Sequence, residues 1–550
     1  MSEKPDPGGR PRRSDEWESD PDLRGIVARI SEKLIDGSIR TREELQDSKM
    51  IEVRKTSIGY IPTNSMILDY IVRNCPESDD GIMDILRKKP SRTLSGVAVV
   101  AVMTSPHSCP HGKCLFCPGG EDQDVPTPQS YTGREPAAMR GEQHDFDSFL
   151  QTTARISQLE SIGHPTDKID LILMGGTITA RDVEYQEEFV KGCFDGMNGT
   201  ISGSLIEAQN MNIHAPHRCI GMTFETRPDR CGPKEIDDIL RLGGTRVELG
   251  FQSAFDETLS FSRRGHTVSD SITATKKLKD AGLKVNYHLM PGIPGSDPEM
   301  DIETARMIFT DERFMPDMIK IYPTLVIEGT ELFEMWKRGE YEPLSTEKAA
   351  EVVAEIKKLT PPWVRIQRIQ RDIPSPLVEA GVKNSNLRQL AQEVLKGSGE
   401  ACRCIRCREV GHLSNDADLR EEEPRSVRRD YPASGGIEVF LSLETGGNDA
   451  LIGYVRLRKP SGSAERPEID GSTSIIRELK VFGSMVPIGE RSGKRWQHRG
   501  FGSMLMEEAE RISSEEWGHE KMAVNSGVGV RNYYEKLGYR MLGPYMVKKL

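Results

Sequence analysis

No uninterrupted apolar stretch in the sequence approaches the ~18 residues that a transmembrane helix needs, so insertion into a membrane is not expected. The first 20 residues are rich in Pro, Gly and charge and hold no apolar core of signal-peptide length, which speaks against secretion and for a cytoplasmic protein. Ten cysteines in 550 residues are too few for a disulfide framework. An excess of positive charge is also missing. Lys and Arg number 74 against 85 Asp and Glu, a net charge of -11, so a polyanionic partner would need a local basic surface.

The length exceeds what one core can organise, and at ~100 to 200 residues per domain two to four domains are expected. Charged residues at 29% and hydrophobic ones at 36% fit a soluble globular chain. Six of the cysteines fall in two tight clusters, 109/114/117 and 402/404/407, which in a reducing compartment points to metal binding. The first cluster follows Val97 to Val102, a run of small and β-branched apolar residues with the pattern of a strand buried on both faces. Cys109, Cys114 and Cys117 therefore stand in a loop at the carboxyl end of a buried strand. Three thiols without a fourth suit a [4Fe-4S] cluster that keeps one iron open to a ligand, and a structural zinc site completed by His107 or His111 is the competing reading. In the second cluster, Cys402, Cys404 and Cys407 are spaced as in a zinc knuckle, with His412 or a more distant side chain as the fourth ligand.

Residues 1–21 form a basic tail, Pro5, Pro7, Gly8, Gly9 and Arg10 to Arg13 among them, that cannot bury apolar area and is expected to be disordered. Helical periodicity follows over 23–35, a capping-box pattern opens a helix at Thr41 to Glu44, and further helical signal runs over 64–75 and 81–86, giving a helical region 22–92. From 93 to 372 strands and helices alternate. Strands are expected at 96–103, 169–174, 219–225, 245–250, 284–290 and 317–322, with amphipathic segments at 145–162, 234–242, 268–281 and 299–310. Six β/α units with buried strands predict an α/β fold whose parallel sheet curves into a partial (β/α)6 barrel, binding ligands at the carboxyl ends of its strands. That rim holds the cysteine loop, Gly175 and Gly176, Glu225 and Arg227, Glu248 and Gln252, His288 to Gly295, and Tyr322. Arg365, Arg368 and Arg371 read as an edge strand or, preferably, as a phosphate-contacting strip.

Residues 373–430 read as a linker carrying the zinc motif, charge-dense from 415 to 429. A second domain is expected over 431–550. Its strands 437–443 and 451–458 read as an antiparallel pair, and a longer strand covers 474–483. Gln497-His498-Arg499-Gly500-Phe501-Gly502-Ser503 then opens an amphipathic helix, and glycines at a helix N-terminus let backbone N–H groups approach a pyrophosphate.

With these residues in view, two resemblances can be stated. Cys109-Pro-His-Gly-Lys-Cys114-Leu-Phe-Cys117-Pro-Gly-Gly followed by Gln129-Ser-Tyr-Thr-Gly-Arg-Glu-Pro136 resembles the radical S-adenosylmethionine domain of the Elongator catalytic subunit family, stand-alone type. The cysteines are separated by four and two residues, a departure from the three and two of most radical S-adenosylmethionine enzymes. Gln-x-x-Gly-x-Gly between strand Glu478-Leu479-Lys480-Val481 and a helix, with Arg531 to Tyr534 and Leu537 to Tyr539 beyond, resembles the GNAT acetyltransferases, an α+β fold. The likeness to the Elongator family spans about 22 to 550.

That resemblance implies a tRNA-modifying enzyme. Acetyl-CoA and S-adenosylmethionine would place a carboxymethyl group on C5 of the wobble uridine, a radical from S-adenosylmethionine taking hydrogen from the acetyl methyl before the thioester is hydrolysed. It implies that Lys168 contacts acetyl-CoA, that Glu478 to Val481 and Gln497 to Ser503 hold pantetheine and pyrophosphate, and that Tyr533 lies near the thioester with Tyr534 packing beside it. The barrel-rim residues would hold S-adenosylmethionine, and the helical N-terminal region would bind the tRNA anticodon stem-loop. An external reductant is expected and no obligate partner subunit is indicated; a homodimer is left open. The alternative is a protein lysine acetyltransferase with a structural Fe–S cluster.

Overall fold

The computed structural model describes residues 16–550 apart from 57, 59, 76–79, 88–92, 94, 95, 122, 124, 125, 414–422, 448 and 483–499. The tail to residue 15, the basic segment 88–92, the centre of the charged linker and Gln497, His498 and Arg499 lie outside the described residues. The chain divides into two compact units, Met1–Ala98 with Ala154–Thr166, and Val99–Thr153 with Asp167–Leu550.

The first unit is built on helices α1 (Pro21–Ile35), α2 (Arg42–Arg54), α3 (Asn64–Asn74) and α4 (Asp80–Leu86). Leu23, Ile26, Val27, Ile30 and Leu34 repeat at helical spacing, and all are buried in one core with Trp17, Leu45, Ile67 and Ile71. The capping box at Thr41 and Glu44 is present at the start of α2. Glu52, buried, gathers Arg29 at 2.8 Å and Lys33 and Lys55 at 2.9 Å.

The second unit opens with a sheet of seven strands, one more than the six expected. β1 (Ala98–Met103), β2 (Lys168–Met174), β3 (Arg218–Thr226), β4 (Arg246–Gln252), β5 (Lys284–Leu289) and β6 (Met318–Ile321) are followed in the sheet by β8 (Arg365–Ile369), while β7 (Val326–Ile327) and β9 (Val378–Ala380) form a small ribbon apart. Pairings from β2 to β8 are all parallel. Helices Pro233–Leu242, Val268–Asp280 and Pro298–Thr310 fill the expected crossovers. Side chains alternate along each strand: Val247, Leu249 and Phe251 are buried apolar groups, while Arg246 and Glu248 share the opposite face of β4. The Arg365 strip is corrected by this sheet. β8 is an edge strand as the other reading had it, Arg365 pairs with the buried Glu409 at 2.9 Å, and Arg371 donates to the Ser130 carbonyl at 2.7 Å.

The second sheet comprises β10 (Arg425–Ala433), β11 (Gly436–Glu444), β12 (Leu451–Lys459), β13 (Thr473–Val481), β14 (Lys521–Val524), β15 (Arg540–Leu542) and β16 (Tyr545–Lys549), in the order β10-β11-β12-β13-β14-β16-β15. The linker expectation for 425–429 is thereby corrected, since Arg425 to Arg429 pair with Glu444 to Phe440 on β11. The expected antiparallel pair is β11 with β12. Along β13, Arg456 pairs with Glu478 and Leu457 with Ile476, so Arg477 is the extra residue of a bulge. β13 runs parallel to β14 only from Thr473 to Ile476. Past the bulge its edge from Arg477 to Val481 has no strand partner on that side among the described residues, and the two parallel strands part.

This sheet docks on the amino ends of the barrel strands. Asn525 lies within hydrogen-bond reach of the carbonyls of Gly244 and Gly282 at 3.4 and 3.3 Å, Tyr545 Oη donates to Ala281 O at 2.9 Å, and Arg477 donates to Leu283 O at 3.1 Å. A Cβ on Gly527 would collide with the Ile220 carbonyl, so the loop after β14 lies against β3 backbone to backbone. Among the described residues no helix is long and apolar enough to cross a membrane.

Candidate functional site

At the carboxyl end of β1 the cysteine loop meets an arginine and a histidine. Arg264 Nη1 donates to Cys114 Sγ at 3.4 Å and His111 Nε2 lies 3.2 Å from the same sulfur, while Cys109 Sγ is 3.8 Å from Thr177 Oγ1. A hydrogen bond from Cys117, with Arg264 and His111 behind it, carries the Cys114 thiol down to about 3 against the opposing effect of burial. Cys117, the donor of that hydrogen bond, is pushed up in turn. A donor set of three thiols, charge-assisted at one and backed by an arginine, fits the sulfur ligands of an iron–sulfur cluster.

The other rim residues gather here to different degrees. Gly175 and Gly176 follow β2 at φ 139 and 98, a conformation that L side chains avoid, and a side chain on Gly175 would strike Thr104. Glu225 accepts from Tyr131 Oη at 2.8 Å. Gln252 ends β4 at φ 68, strained for a residue with a Cβ. Arg227 is committed to the loop wall, donating to the carbonyls of Arg264 and Gly265 at 2.5 and 3.0 Å and to Asp229 at 2.9 Å. Glu248 lies lower, fully buried, bonded to His288 at 2.8 Å and to Lys320. Burial acts to raise it, but Lys320 and then His288 hold it below the usual carboxylate range. Glu225, Glu248 and His288 could between them surround a cation, and the Lys320 ammonium, 3.6 Å from Glu225, already stands there. Lys320 and Arg264 are the residues sequence reasoning missed. The period-two series Arg246/Glu248, Lys284/Asn286/His288 and Lys320/Tyr322, polar groups alternating with buried apolar ones, carried the signal for Lys320.

The second set lies at the other end of the same strands. Lys168, the first residue of β2, is half-buried, and burial lowers its ammonium. Glu478, Leu479, Lys480 and Val481 are the half-buried residues of β13 past the bulge. Helix Phe501–Arg511 begins after Gly500 at φ 86, and no side chain among the described residues caps it. An extended strand edge facing an uncapped helix start fits a pantetheine arm and its pyrophosphate. Tyr533 completes the cleft: its Oη is buried without a well-formed partner, and a Cβ on Gly502 would lie 2.8 Å from it. Tyr534 instead packs in the core, edge-on to Tyr533 at 5.1 Å and to Tyr539 at 6.0 Å. Gly502→Val, which drives two extra methyls into Tyr533, is expected to weaken coenzyme A binding at least ~10-fold in calorimetry while the cysteine loop keeps its metal content.

Cys402, Cys404 and Cys407 bring their sulfurs within 4.8 Å of one another. Hydrogen bonds from Cys402 and Cys407 hold Cys404 well below the ordinary thiol range. His412 is not part of this group.

A half-barrel with a three-cysteine loop on one end and a GNAT-like sheet on the other defines a class: a radical S-adenosylmethionine domain joined to an acetyltransferase. Family comparisons agree, matching the radical SAM superfamily over 103–308, the radical SAM C-terminal domain over 316–396 and the GNAT acetyltransferase family over 407–539. Radical SAM membership implies S-adenosylmethionine and a [4Fe-4S] cluster, and the GNAT domain implies acetyl-CoA. The chain is 53% identical over 536 residues to the tRNA uridine(34) acetyltransferase of Methanocaldococcus infernus, covering 96% of this chain and 99% of that protein. It is 46% identical over 520 residues to human Elongator complex protein 3, covering 93% and 95%. The solved structure of the archaeal Methanocaldococcus infernus Elp3 with an N-terminal deletion matches with a TM-score of 0.73 at 51% identity, over 83% of this chain and all of that one. The chain belongs to the Elongator complex protein 3 family.

Proposed function

We propose that this protein modifies uridine 34 of tRNA, using acetyl-CoA and S-adenosylmethionine to attach a carboxymethyl group at C5. Its relatives carry the name tRNA uridine(34) acetyltransferase, and the observation that supports the chemistry is the pairing of the two sites on one set of strands. Lys284, at the amino end of β5 beside Glu478, and His288 on the rim side are four residues apart, ~13 Å along a strand. A pantetheine arm is long enough to work across such a span, and the intervening face of the barrel is polar throughout, through Arg246, Glu248, Asn286 and Gln367.

When bound to Cys109, Cys114 and Cys117, the cluster would cleave S-adenosylmethionine reductively and so supply the hydrogen-abstracting oxidant. The chain's own residues hold and shield: Gly175 and Gly176 open the backbone to the ligand, Glu225 and Gln252 offer polar contacts on the rim, and Arg264 sets the charge around Cys114. Lys168 and the Glu478–Val481 edge would hold the acyl arm, with Tyr533 over the thioester. Cys402, Cys404 and Cys407 fit zinc, which would tie the segment before β10 to β8. The tRNA anticodon stem-loop and an external reductant are the partners this reading requires, in a cytoplasmic setting.

Anaerobic incubation of the reduced, reconstituted protein with S-adenosylmethionine, acetyl-CoA and tRNA tests it. Expected are 5′-deoxyadenosine and a uridine heavier by one carboxymethyl group. 5′-Deoxyadenosine without any change in uridine mass would overturn the transfer reaction, and acetylated lysines without S-adenosylmethionine consumption would favour a protein acetyltransferase.

A further inference from the structure

The amino end of the half-barrel, where the second sheet docks, holds ammonium groups that no counter-charge contacts. Three carboxylates around Lys284 and Lys480 are each engaged by a guanidinium: Asp170 by Arg246 at 3.0 Å, Glu478 by Arg456 at 2.9 Å and Glu409 by Arg365 at 2.9 Å, while Asp167 stands beside Lys168. Two ammonium groups are left over. Lys284, the first residue of β5, is 9% exposed, and it forms neither an ion pair nor a hydrogen bond with any described side chain. Lys480 on β13 likewise has no ionic partner among the described residues and meets only the Phe482 ring, 5.3 Å from its Nζ. Withdrawing an ammonium from water without a hydrogen-bonded counter-charge costs several kcal/mol. A fold that buries one such group and half-buries a second beside the same Glu478 presents a site completed by an anion.

The position of the two lysines narrows which anion. Glu478 and Lys480 lie on the β13 segment past the bulge, whose free edge is the coenzyme cleft, and Lys284 faces Glu478 from the barrel side. On that reading of the cleft, the acyl end of a bound coenzyme would lie beside them. Opening a thioester there forms a bond between the oxygen of water and the acyl carbon and breaks the C–S bond. Sulfur leaves as the thiol with one proton, the second proton goes to solvent, and the acyl group becomes a carboxylate. We propose that Lys284 and Lys480 form an anion site at the acyl end of the coenzyme cleft, which takes the carboxylate produced when the thioester is hydrolysed. This rests on the reading of that cleft as the acetyl-CoA site.

Both groups are tuned by their neighbours. Burial brings Lys284 down to about 8; Glu478 opposes this, Arg246 adds to it, and Asp170 and Asp317 oppose it from β2 and from the turn before β6. Burial also lowers Lys480, with Arg365 adding and Glu409, Glu478 and Asp170 opposing. Anion binding should therefore weaken as pH rises past about 8 and Lys284 gives up its charge.

The test needs no radical cofactor. Titration calorimetry of the full chain at pH 7 compares S-carboxymethyl-coenzyme A with S-ethyl-coenzyme A, a thioether of similar bulk without the carboxylate, and with acetyl-CoA. The carboxymethyl probe is expected to bind at least ~10-fold more tightly than the ethyl one, and less so at pH 9. Lys284→Met should erase most of that preference while acetyl-CoA still binds, and Lys284→Arg should retain it; Lys480→Met should weaken the carboxymethyl probe more than it weakens acetyl-CoA. Equal binding of the two thioethers, or an undiminished preference in Lys284→Met, would overturn the anion site. Failure of acetyl-CoA itself to bind would overturn the cleft assignment instead.

Discussion

Arg477→Met is expected to cost about 3–5 kcal/mol of stability, read as a lower urea midpoint at unchanged slope. Arg477 is completely buried where the barrel meets the second sheet, and it holds two carboxylates at once, Asp317 at 2.6 Å and Glu438 at 2.7 Å. The same lattice continues through Lys279 to both of these carboxylates, and through Arg458 to Glu438 and Asp280. Removing one member leaves buried negative charge uncompensated, which is the costly way to break such a network. Arg428→Met provides the contrast, because its partners Asp430 and Glu516 are exposed and such pairs are worth less than ~1 kcal/mol. Since the lattice spans both sheets, barrel and acetyltransferase domain should unfold in one transition. Two separated transitions in the wild-type protein would contradict the cementing role.

The same lattice fixes an acid limb. Burial alone would raise Asp317, but Arg477 and Lys279 outweigh it and hold the carboxyl well below its ordinary value. A group depressed in the folded state contributes stability above its unfolded value of ~4 and loses it as pH falls further. Unfolding in acid should therefore begin below about pH 4, and Asp317→Asn should flatten that limb.

Which parts of this were legible in the sequence follows from burial. β2 to β6 could be read because an inner parallel strand keeps an apolar face, as Ile169, Leu171 and Leu173 do. β1 could be read from its apolar run Ala98 to Met103, although it stands at the sheet edge with Val99 exposed and not buried on both faces as expected. β8 and β10 were harder because they are edge strands, and edges carry charge that blocks further pairing: Arg365 and Arg368 in one, Arg425, Arg428 and Arg429 in the other. Charge density alone made 425–429 look like a linker. The cysteine loop and the glycines before helix Phe501–Arg511 could be read because their chemistry is local, a few residue types at fixed spacing. Arg264 could not, because it acquires its meaning from Cys114, 150 residues away, and Lys320 left only its place in the period-two series, its partner Glu248 being remote in the chain as well. The docking of the second sheet on the amino ends of the barrel strands was equally hidden. It depends on carbonyls at Gly244, Ala281, Gly282 and Leu283 that any residue could present.

Cys114→Ala is expected to abolish S-adenosylmethionine cleavage and to strip the reconstituted protein of its about four irons and their visible absorbance. The reason lies in the asymmetry of the loop. Of the three thiols, Cys114 is the one drawn toward the thiolate, by the hydrogen bond from Cys117 first and by Arg264 and His111 behind it, so it is the sulfur that loses its proton to iron most readily. Arg264→Gln tests that account separately from ligation. It keeps all three cysteines but removes the cation beside Cys114, and should reduce cluster affinity ~10- to 100-fold, in the range typical of a lost partner to a metal ligand. Cys407→Ala is the matching control on the second cluster. It should leave the visible absorbance untouched and lower zinc content alone, because its sulfur belongs to the Cys402 and Cys404 group. A Cys114→Ala protein that still holds about four irons would end the assignment of this loop, and an Arg264→Gln protein indistinguishable from wild type would show that the thiolate does not depend on its guanidinium.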